Sequence, residues 1–398
     1  MIKVLELFGG IGACSKALER LGIEYEIADY VEIDKYAVKS FNAMHGTNFE
    51  PQDICEWDKD INVDLIMHGS PCQDFSLAGK QAGGDEGSGT RSSLMYETIR
   101  IVEKLKPKYV IWENVKNVVS KKHKHNYDSY CNKMTELGYK SCGQILNAKD
   151  YGIPQNRERV FTISIRNDIK KEFKFPPKQE LKLKLKDMLE SEVDEKYYLS
   201  DKMIRYISAT GTANFRNPDS KINLDIARPL TTDQNKRAGT TNYLSNDLPD
   251  NYDLNGSSYL RNFGSKGKIQ DKEYCDTLTA SMGTGGGNVP ILKIKNNTKQ
   301  GYLEAKPGDG VYTNTSTKRG TVQKDMIQTL TTFQDKGVVM NDLRIRKLTP
   351  KECWRLMGFD DSDFDRAEKV NSNAQLYKQA GNSIVVNVLE AIFQELLK

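Results

Sequence analysis

The first 166 residues alternate short apolar segments with segments of helical spacing, and this alternation constrains the fold more than any other feature. The apolar strand candidates cover residues 3–8, 25–31, 63–67, 109–112 and 160–165. Helical spacing covers residues 13–21, 36–44 and 93–105, with a further helix end at residues 134–137. Strands that alternate with helices predict an α/β fold: a doubly wound, mainly parallel Rossmann-like sheet with helices on both faces.

The character of the sequence changes at Pro176-Pro177. From there to about residue 340 it is rich in Asn, Thr, Gly, Asp and Ser, which is typical of short strands and long loops. Helical spacing returns after Leu348. We therefore expect a first domain formed by residues 1–175 and completed by residues 370–398, with a smaller, loop-rich domain at residues 176–369.

Composition excludes several classes of protein. The chain has 398 residues, and 58 Lys and Arg against 54 Asp and Glu give a net charge of +4, which is too small to indicate a nucleic-acid partner by itself. It contains no uncharged apolar run of transmembrane length, and its first residues do not resemble a secretory signal. The seven cysteines form no Cys-x-x-Cys pair, so we expect a cytoplasmic protein without a disulfide framework or a metal site.

A glycine-rich turn at residues 9–12 follows the first predicted strand. Glycines there let a ligand approach the backbone at a helix N-terminus. Glu32, at the end of the second strand, is placed to bind ribose hydroxyls. Asp53 could bind an adenine amino group, or it is a solvated loop residue or a cap. Ser15 replaces the third glycine of the dinucleotide fingerprint, so this turn alone leaves open a nucleotide-like cofactor or an ordinary tight turn.

The segment from His68 to Ser76, which contains Cys72, directly follows the third predicted strand. The carboxyl edge of a parallel sheet is where ligands bind, which makes Cys72 a candidate nucleophile and not merely a small apolar residue. Residues 78–91 contain five glycines, a composition typical of a mobile loop that closes over a substrate or of a plain surface loop. The position straight after a candidate nucleophile favours the closing loop.

Charged side chains follow two other predicted strands. Glu113 comes after the strand at residues 109–112 and could act as an acid or base, or bind the edge of a nucleic-acid base. Arg157 and Arg159 alternate, so on an extended segment both would lie on one face and could bind phosphate or a developing anion. The alternative for these arginines is a solvated surface pair with Glu158.

Taken in order, these segments closely resemble the DNA (cytosine-5) methyltransferase family. The resemblance covers about residues 1–166 and 344–383. The matching segments are Phe8-Gly9-Gly10-Ile11-Gly12, Glu32, Asp53-Ile54, Gly69-Ser70-Pro71-Cys72-Gln73-Asp74-Phe75-Ser76, Arg91-Ser92-Ser93-Leu94, Glu113-Asn114-Val115, Gln155-Asn156-Arg157-Glu158-Arg159, residues 346–353, residues 355–359 and Gln379-Ala380-Gly381-Asn382-Ser383. Pro-Cys-Gln, Glu-Asn-Val and Gln-x-Arg-x-Arg are specific in combination.

The resemblance implies methyl transfer from S-adenosylmethionine to carbon 5 of a flipped-out cytosine in a specific double-stranded DNA sequence. Cys72 would add to carbon 6 and form a covalent adduct. Glu113 would bind the ring nitrogen N3 and the exocyclic amine, and Arg159 would bind the O2 oxygen. Arg157 would lower the pKa of Cys72 or contact phosphate.

The same resemblance implies a pocket for S-adenosylmethionine and its product S-adenosylhomocysteine. Phe8 and Ile54 would sandwich the adenine ring, and Glu32 would bind the ribose. The other residues of this pocket would be Gly10, Gly12, Asp53, Leu94, Asn382 and Ser383. The cofactor has no pyrophosphate, so Ser15 is not a defect.

The middle of the chain would then be the target-recognition domain, and residues 76–91 would enter the duplex. The candidate DNA-binding side chains are Ser76, Arg91, Gln234, Arg237, Arg261 and Arg319. The family also implies a restriction-modification or anti-restriction role in a bacterial or phage-infected cell. It implies a monomer that works beside a cognate restriction endonuclease or without one.

Three other functions fit part of the pattern. A transfer RNA cytosine methyltransferase would use the same pocket, but the long middle segment favours the reading of duplex DNA. A non-catalytic DNA-binding regulator would not need Cys72, Glu113 and Arg159. A nicotinamide dehydrogenase fits the glycine turn alone, and Ser15 counts against it.

Overall fold

The structure, a computed structural model, describes residues 1–71, 87–199, 259–261, 268–270, 292–296, 301–313, 321–332, 334–340 and 344–397. For residues 91, 259–261 and 268–270 it describes the backbone alone. The chain divides into two compact units. The first comprises Met1–Met188, Thr329–Gln334 and Thr349–Lys398, and the second comprises Leu189–Gln328 and Asp335–Leu348. The first unit thus also contains residues 176–188, 329–334 and 349–369, which lie within the range expected for the second domain.

The first unit is an α/β structure. Its strands are β1 (Ile2–Leu7), β2 (Tyr25–Val31), β3 (Leu65–His68), β4 (Tyr109–Val115), β5 (Tyr139–Asn147), the short β6 (Gln155–Asn156) and β7 (Glu158–Arg166). The helices between them are α1 (Ala13–Arg20), α2 (Lys35–His45), α3 (Met95–Leu105) and α4 (Lys124–Glu136). Short 3-10 turns lie at Arg91–Leu94, Lys116–Val119, Ala148–Tyr151 and Leu185–Met188.

Six of these strands form one sheet in the order β2-β1-β3-β4-β7-β5. The pairs β1–β2, β1–β3 and β3–β4 are parallel, whereas β7 runs antiparallel to both β4 and β5. The predicted doubly wound, mainly parallel α/β sheet is therefore confirmed, with β7 as its reversed strand. The carboxyl ends of β1, β2, β3 and β4 lie at the same edge, and the candidate site residues follow them.

The core is formed where the sheet packs against its helices. Strand β1 buries Leu5 and Leu7, and β4 buries Val110 and Trp112, in one apolar cluster. Helices α3 and α4 add their apolar faces to this cluster, which explains the helical spacing seen in the sequence. Burial of these side chains is the main free-energy gain that holds the parallel strands together.

The last part of the chain returns to the first unit as four helices. These are α5 (Pro350–Arg355), α6 (Asp361–Glu368), α7 (Asn373–Asn382) and α8 (Val386–Leu396). Thr349 and Glu352 form a capping box at the start of α5. Helix α8 packs against α1, and α6 packs against α2. Two helices from the beginning of the chain are thus covered by two from its end.

The second unit consists of short antiparallel strands. They are β8 (Tyr259–Arg261), β9 (Lys268–Gln270), β10 (Leu292–Lys295), β11 (Tyr302–Ala305), β12 (Gly310–Tyr312), β13 (Val322–Gln323), β14 (Ile327–Gln328), β15 (Lys336–Val339) and β16 (Ile345–Lys347), with a 3-10 turn at Glu195–Tyr197. A four-stranded sheet has the order β13-β12-β15-β16, and β10 pairs with β11. A small apolar cluster that includes Leu292, Val311 and Ile345 forms its core.

A buried lysine joins α1 to the start of α6. The Lys16 ammonium lies 2.8 Å from Asp360 Oδ2 and 3.0 Å from Asp363 Oδ2, and the side chains of Lys16 and Asp363 are 4% and 1% exposed. Asp363 also accepts from Arg366 Nη2 at 2.7 Å, so this buried carboxylate has two cationic partners, whereas Asp360 is 52% exposed. The contact therefore holds the C-terminal helices against the N-terminal part of the sheet.

We expect Lys16→Met to lower the free energy of unfolding by about 2 kcal/mol, since the buried Asp363 loses one charged hydrogen bond but keeps Arg366 as a partner. Urea denaturation at neutral pH measures this change. Lys124→Met is the matched control, because Lys124 and Asp128 form an exposed pair within α4 that is worth about 0.5 kcal/mol. Equal losses in the two variants would contradict the interpretation.

Candidate active site

Glu113 and Arg159 form an ion pair at the carboxyl edge of β4. Glu113 is 9% exposed, and Arg159 Nε lies 3.1 Å from its Oε1 atom. Strands β4 and β7 place them together, because Glu113 pairs with Phe161 and Val115 pairs with Arg159. Burial raises the pKa of Glu113, while the positive charges of Arg159 and Arg157 oppose this rise. The site therefore holds a carboxyl group whose protonation is balanced between desolvation and two cations.

The chain that leaves β3 lies against the same edge. A Cβ atom built on Gly69 would lie 3.7 Å from Glu113 Oε2. The hydroxyl of Ser70 accepts a hydrogen bond from Trp112 Nε1 at 3.0 Å, and its carbonyl accepts one from Asn114 Nδ2 at 3.2 Å. Side chains of β4 thus fix residues 69–70, two positions before Cys72. Cys72 itself lies outside the described residues.

Arg157 lies near the pair but has different partners from those expected. It is 3% exposed, and its guanidinium donates to the carbonyl oxygens of Leu330 at 3.1 Å, Gly381 at 3.1 Å and Ser383 at 2.7 Å. These bonds connect the end of β6 to two distant segments of the first unit. The described contacts make Arg157 a residue that positions backbone rather than an exposed phosphate ligand.

The glycine turn connects β1 to α1 in a left-handed conformation. Gly10 has φ +57° and Gly12 has φ +78°, and a Cβ on Gly12 would lie 2.7 Å from Phe41 and His45. Gly12 is therefore required for both conformation and packing. A Cβ on Gly10 would meet no atom within 4 Å, so the turn borders open space there. Phe8 also has a positive φ of 53°, which costs about 1–2 kcal/mol for a residue with a side chain.

Glu32 connects the end of β2 to this turn. Its carboxylate accepts hydrogen bonds from the backbone N–H of Gly10 at 3.1 Å and of Asp34 at 2.8 Å. Burial raises the pKa of Glu32, and these two amides oppose the rise. A carboxylate has about four acceptor positions, so two bonds leave capacity for hydroxyl donors.

Apolar side chains lie near this edge of the sheet. Ile54 is 4% exposed and belongs to the main apolar cluster, against which Phe8 and Leu94 also pack. Asp53 begins the turn before Trp57, and its Oδ1 atom accepts the Cys55 N–H at 2.9 Å. Ile54, Phe8 and Leu94 therefore share one apolar cluster, although they come from the segment after β2, the end of β1 and the 3-10 turn before α3.

A comparison of the sequence with family models identifies the family. The model described as C-5 cytosine-specific DNA methylase matches residues 2–398. The chain belongs to this family.

Curated relatives agree with this assignment. The chain is 32% identical over 438 residues to the orphan methyltransferase M.SPRI of Bacillus phage SPR, with 100% of this chain and 97% of the relative covered. It is 30% identical over 396 residues to the type II methyltransferase M.HhaI of Haemophilus parahaemolyticus, with 98% and 93% covered.

Solved structures show the same fold. A putative DNA modification methyltransferase encoded within an E. coli prophage has a TM-score of 0.56 and 22% identity, with 100% of this chain and 99% of that chain covered. A DNMT2 mutant of Spodoptera frugiperda has a TM-score of 0.56 and 19% identity, with both chains fully covered.

Only some of the predicted site residues lie in the part of the chain that the structure describes. Cys72, Ser76, Gln234, Arg237 and Arg319 lie outside the described residues, and for Arg91 and Arg261 the backbone alone is described. Asn382 ends α7 in an exposed position, and Ser383 follows it, buried, with its carbonyl on Arg157.

Among the described residues, no group of three or more His, Cys, Asp or Glu side chains is arranged to hold a metal ion. Within the same part of the chain, every helix is too short or too polar to cross a membrane.

Two buried carboxylates were missed by the motif analysis. Glu6 in β1 is 2% exposed and accepts hydrogen bonds from the N–H and the hydroxyl of Ser15, so the residue that replaces the third glycine has a structural partner. Asp29 in β2 is 3% exposed and contacts the segment after residue 51. An acidic residue inside an otherwise apolar strand was the available signal for both.

Burial raises the pKa of Glu6 from 4.5 to about 7, although the bonds from Ser15 oppose the rise. The folded protein therefore binds a proton more tightly than the unfolded chain, and its stability falls as the pH rises from about 4.5 to 7. Glu6→Gln keeps an acceptor for Ser15 but cannot ionise. We expect the stability of the variant relative to the parent to increase by about 3 kcal/mol between pH 5 and pH 8.

Urea denaturation of both proteins at the two pH values measures this difference. Glu136→Gln, the same substitution at an exposed position of α4, serves as the control. A constant difference between Glu6→Gln and the parent would show that Glu6 does not titrate in this range.

Proposed function

We propose that this family member transfers a methyl group from S-adenosylmethionine to carbon 5 of a flipped-out cytosine in a specific double-stranded DNA sequence. The observation that carries the proposal is the buried Glu113–Arg159 pair beside the chain that leads into Cys72. A carboxyl group and a guanidinium lie at this sheet edge, and a thiol follows two residues after Ser70 in the sequence; these are the groups that cytosine activation needs.

In this mechanism Cys72 adds as a thiolate to carbon 6 of the base, which makes carbon 5 nucleophilic. Glu113 binds N3 and the exocyclic amine, and burial favours the protonated carboxyl that can donate to N3. Arg159 binds the O2 oxygen, on which negative charge develops. A water then removes the proton from carbon 5, and elimination releases Cys72.

The residues around the glycine turn fit an adenosine-containing cofactor. The open space at Gly10 lies next to the Glu32 carboxylate, whose remaining acceptor positions suit ribose hydroxyls. Phe8, Ile54 and Leu94 offer apolar contact for the adenine ring, and Asp53 an acceptor for its amino group. S-adenosylmethionine supplies an electrophilic methyl group when it is bound.

We infer that the second unit selects the target sequence, and that the candidate base-reading residues Gln234, Arg237, Arg261 and Arg319 act there. The curated relatives include orphan phage methyltransferases and type II methyltransferases. We accordingly propose a role in protection of DNA from restriction in a bacterial or phage-infected cell, by a cytoplasmic monomer that acts with or without a cognate endonuclease.

Bisulfite sequencing tests the proposed reaction. Unmethylated plasmid DNA is incubated with the protein and S-adenosylmethionine, then converted and sequenced. Protected cytosines within one short recurring sequence would establish the base and the target together. Complete conversion everywhere, with cofactor binding confirmed, would instead favour a transfer RNA substrate or a non-catalytic binder.

We expect Cys72→Ser to lower methyl transfer by at least about a thousandfold, because a hydroxyl is a much weaker nucleophile than a thiolate. The dissociation constant for S-adenosylmethionine should stay within about twofold, because Cys72 acts on the base. Incorporation of tritiated methyl groups and calorimetric titration measure the two quantities. Cys142→Ser, at an exposed cysteine of β5, is the matched control and should remain active. Full transfer by Cys72→Ser would overturn the nucleophile assignment.

Exchange of residues 189–328 for those of a relative with another target should move methylation to the target of the donor, because this part of the chain lies in the second unit. Bisulfite sequencing of the chimera and of the reciprocal chimera reads the outcome directly. An unchanged target in either chimera would refute the assignment of sequence recognition to this unit.

A further inference from the structure

A buried carboxylate in β2 contacts both ends of the segment that would bind adenine. This segment, residues 52–59, contains Asp53 and Ile54. Asp29 is 3% exposed, and its two carboxylate oxygens contact opposite ends of the segment. A buried charge that is fully used in hydrogen bonds restricts the groups that it binds.

Gln52 forms the first end. Its Nε2 atom donates to Asp29 Oδ1 at 3.2 Å and to the Tyr30 carbonyl at 2.7 Å. Its backbone N–H donates to the Glu32 carbonyl at 2.9 Å. Gln52 thereby connects the segment to the end of β2, where the proposed ribose ligand lies.

Trp57 and Lys59 form the second end. Trp57 Nε1 donates to Asp29 Oδ2 at 2.7 Å, and Lys59 Nζ lies 2.7 Å from the same oxygen. The indole is 3% exposed, whereas the lysine side chain is 52% exposed. The indole contact is therefore the stronger restraint, because water and salt screen the lysine.

The intervening turn is closed by its own backbone and by α3. The Glu56 N–H donates to the Asp53 carbonyl at 3.1 Å. Arg100 Nη2 donates to the carbonyls of Ile54 at 3.0 Å and Trp57 at 2.9 Å. With both ends on Asp29 and the turn on Arg100, the positions of Asp53 and Ile54 relative to Glu32 are fixed by side chains that lie outside the pocket.

We propose that Asp29 is a positioning residue for cofactor binding: through Gln52 and Trp57 it holds Asp53 and Ile54 where the adenine ring is bound. This inference rests on the proposed use of S-adenosylmethionine. The role of Asp29 is indirect, since its carboxylate is occupied by protein donors.

Asp29→Asn tests the proposal, because it keeps the shape but replaces one acceptor oxygen with a donor. We expect the dissociation constant and the KM for S-adenosylmethionine to rise about tenfold, which is the expected scale for a lost charged hydrogen bond. The kcat at saturating cofactor and the KM for DNA should stay within about twofold, because neither depends on this turn.

Asp64→Asn is the matched control. Like Asp29, which accepts the Tyr30 N–H at 3.0 Å, Asp64 accepts a backbone N–H, from Lys3 at 3.0 Å, and pairs with a lysine, Lys108, at 2.9 Å. Asp64 precedes β3, at the opposite end of the sheet. Its substitution should leave cofactor binding unchanged, although it also removes a charged hydrogen bond. Equal losses of cofactor affinity in both variants would show that Asp29 only stabilises the fold, and would overturn the proposal.

The binding preference for the adenine amino group is a second measurement, and a general loss of stability would not change it. S-adenosylhomocysteine is compared with its inosine analogue, in which an oxygen replaces that amino group. Asp29→Asn and Trp57→Phe should both reduce the preference for adenine, and the double variant should lose little more than either one. An unchanged preference in Asp29→Asn would overturn the proposal. Absence of S-adenosylhomocysteine binding by the parent protein would instead overturn the proposed function.

Discussion

The arrangement of the site depends on the need to satisfy carboxylates that are buried within the sheet. Glu6, Asp29, Glu32 and Glu113 lie on or directly after β1, β2 and β4, and each is at most partly accessible to water. A carboxylate removed from water must find donors or cations, or become protonated. Here several of the donors belong to segments that follow the strands: the first turn of α1, the glycine turn, and the segment after residue 51. The strands thus order the loops that would bind ligands.

Much of this fold was predictable from the sequence. Apolar runs alternating with helical spacing gave β1 to β4 and the helices between them, because a sheet buried on both faces requires this pattern. The candidate carboxylates Glu32 and Glu113 were located by their position after strands. The motif analysis also grouped Phe8, Ile54 and Leu94, which do pack on one cluster. The local sequence pattern predicts structure well where a segment packs against the elements next to it in the sequence.

The rest depended on contacts that no local pattern encodes. The reversal of β7 was not predictable, since an apolar run carries no direction. The partners of Arg157, which lies between β6 and β7, were not predictable either. Its carbonyl partners include Leu330 and Ser383, far away in the sequence. For the same reason the return of residues 329–334 and 349–369 to the first unit could not be seen in composition.

Arg157 also shows how structure and chemistry are coupled at this edge. Its guanidinium holds the carbonyls of Gly381 and Ser383, and its charge opposes the effect of burial on the pKa of Glu113. A carboxyl that donates to N3 of a base must be protonated at that moment, whereas one paired only with Arg159 favours ionisation. Burial is the larger effect and favours the protonated form. The backbone of residues 381–383 therefore positions one of the two cations that act on Glu113, so the end of the chain contributes to the site through Arg157.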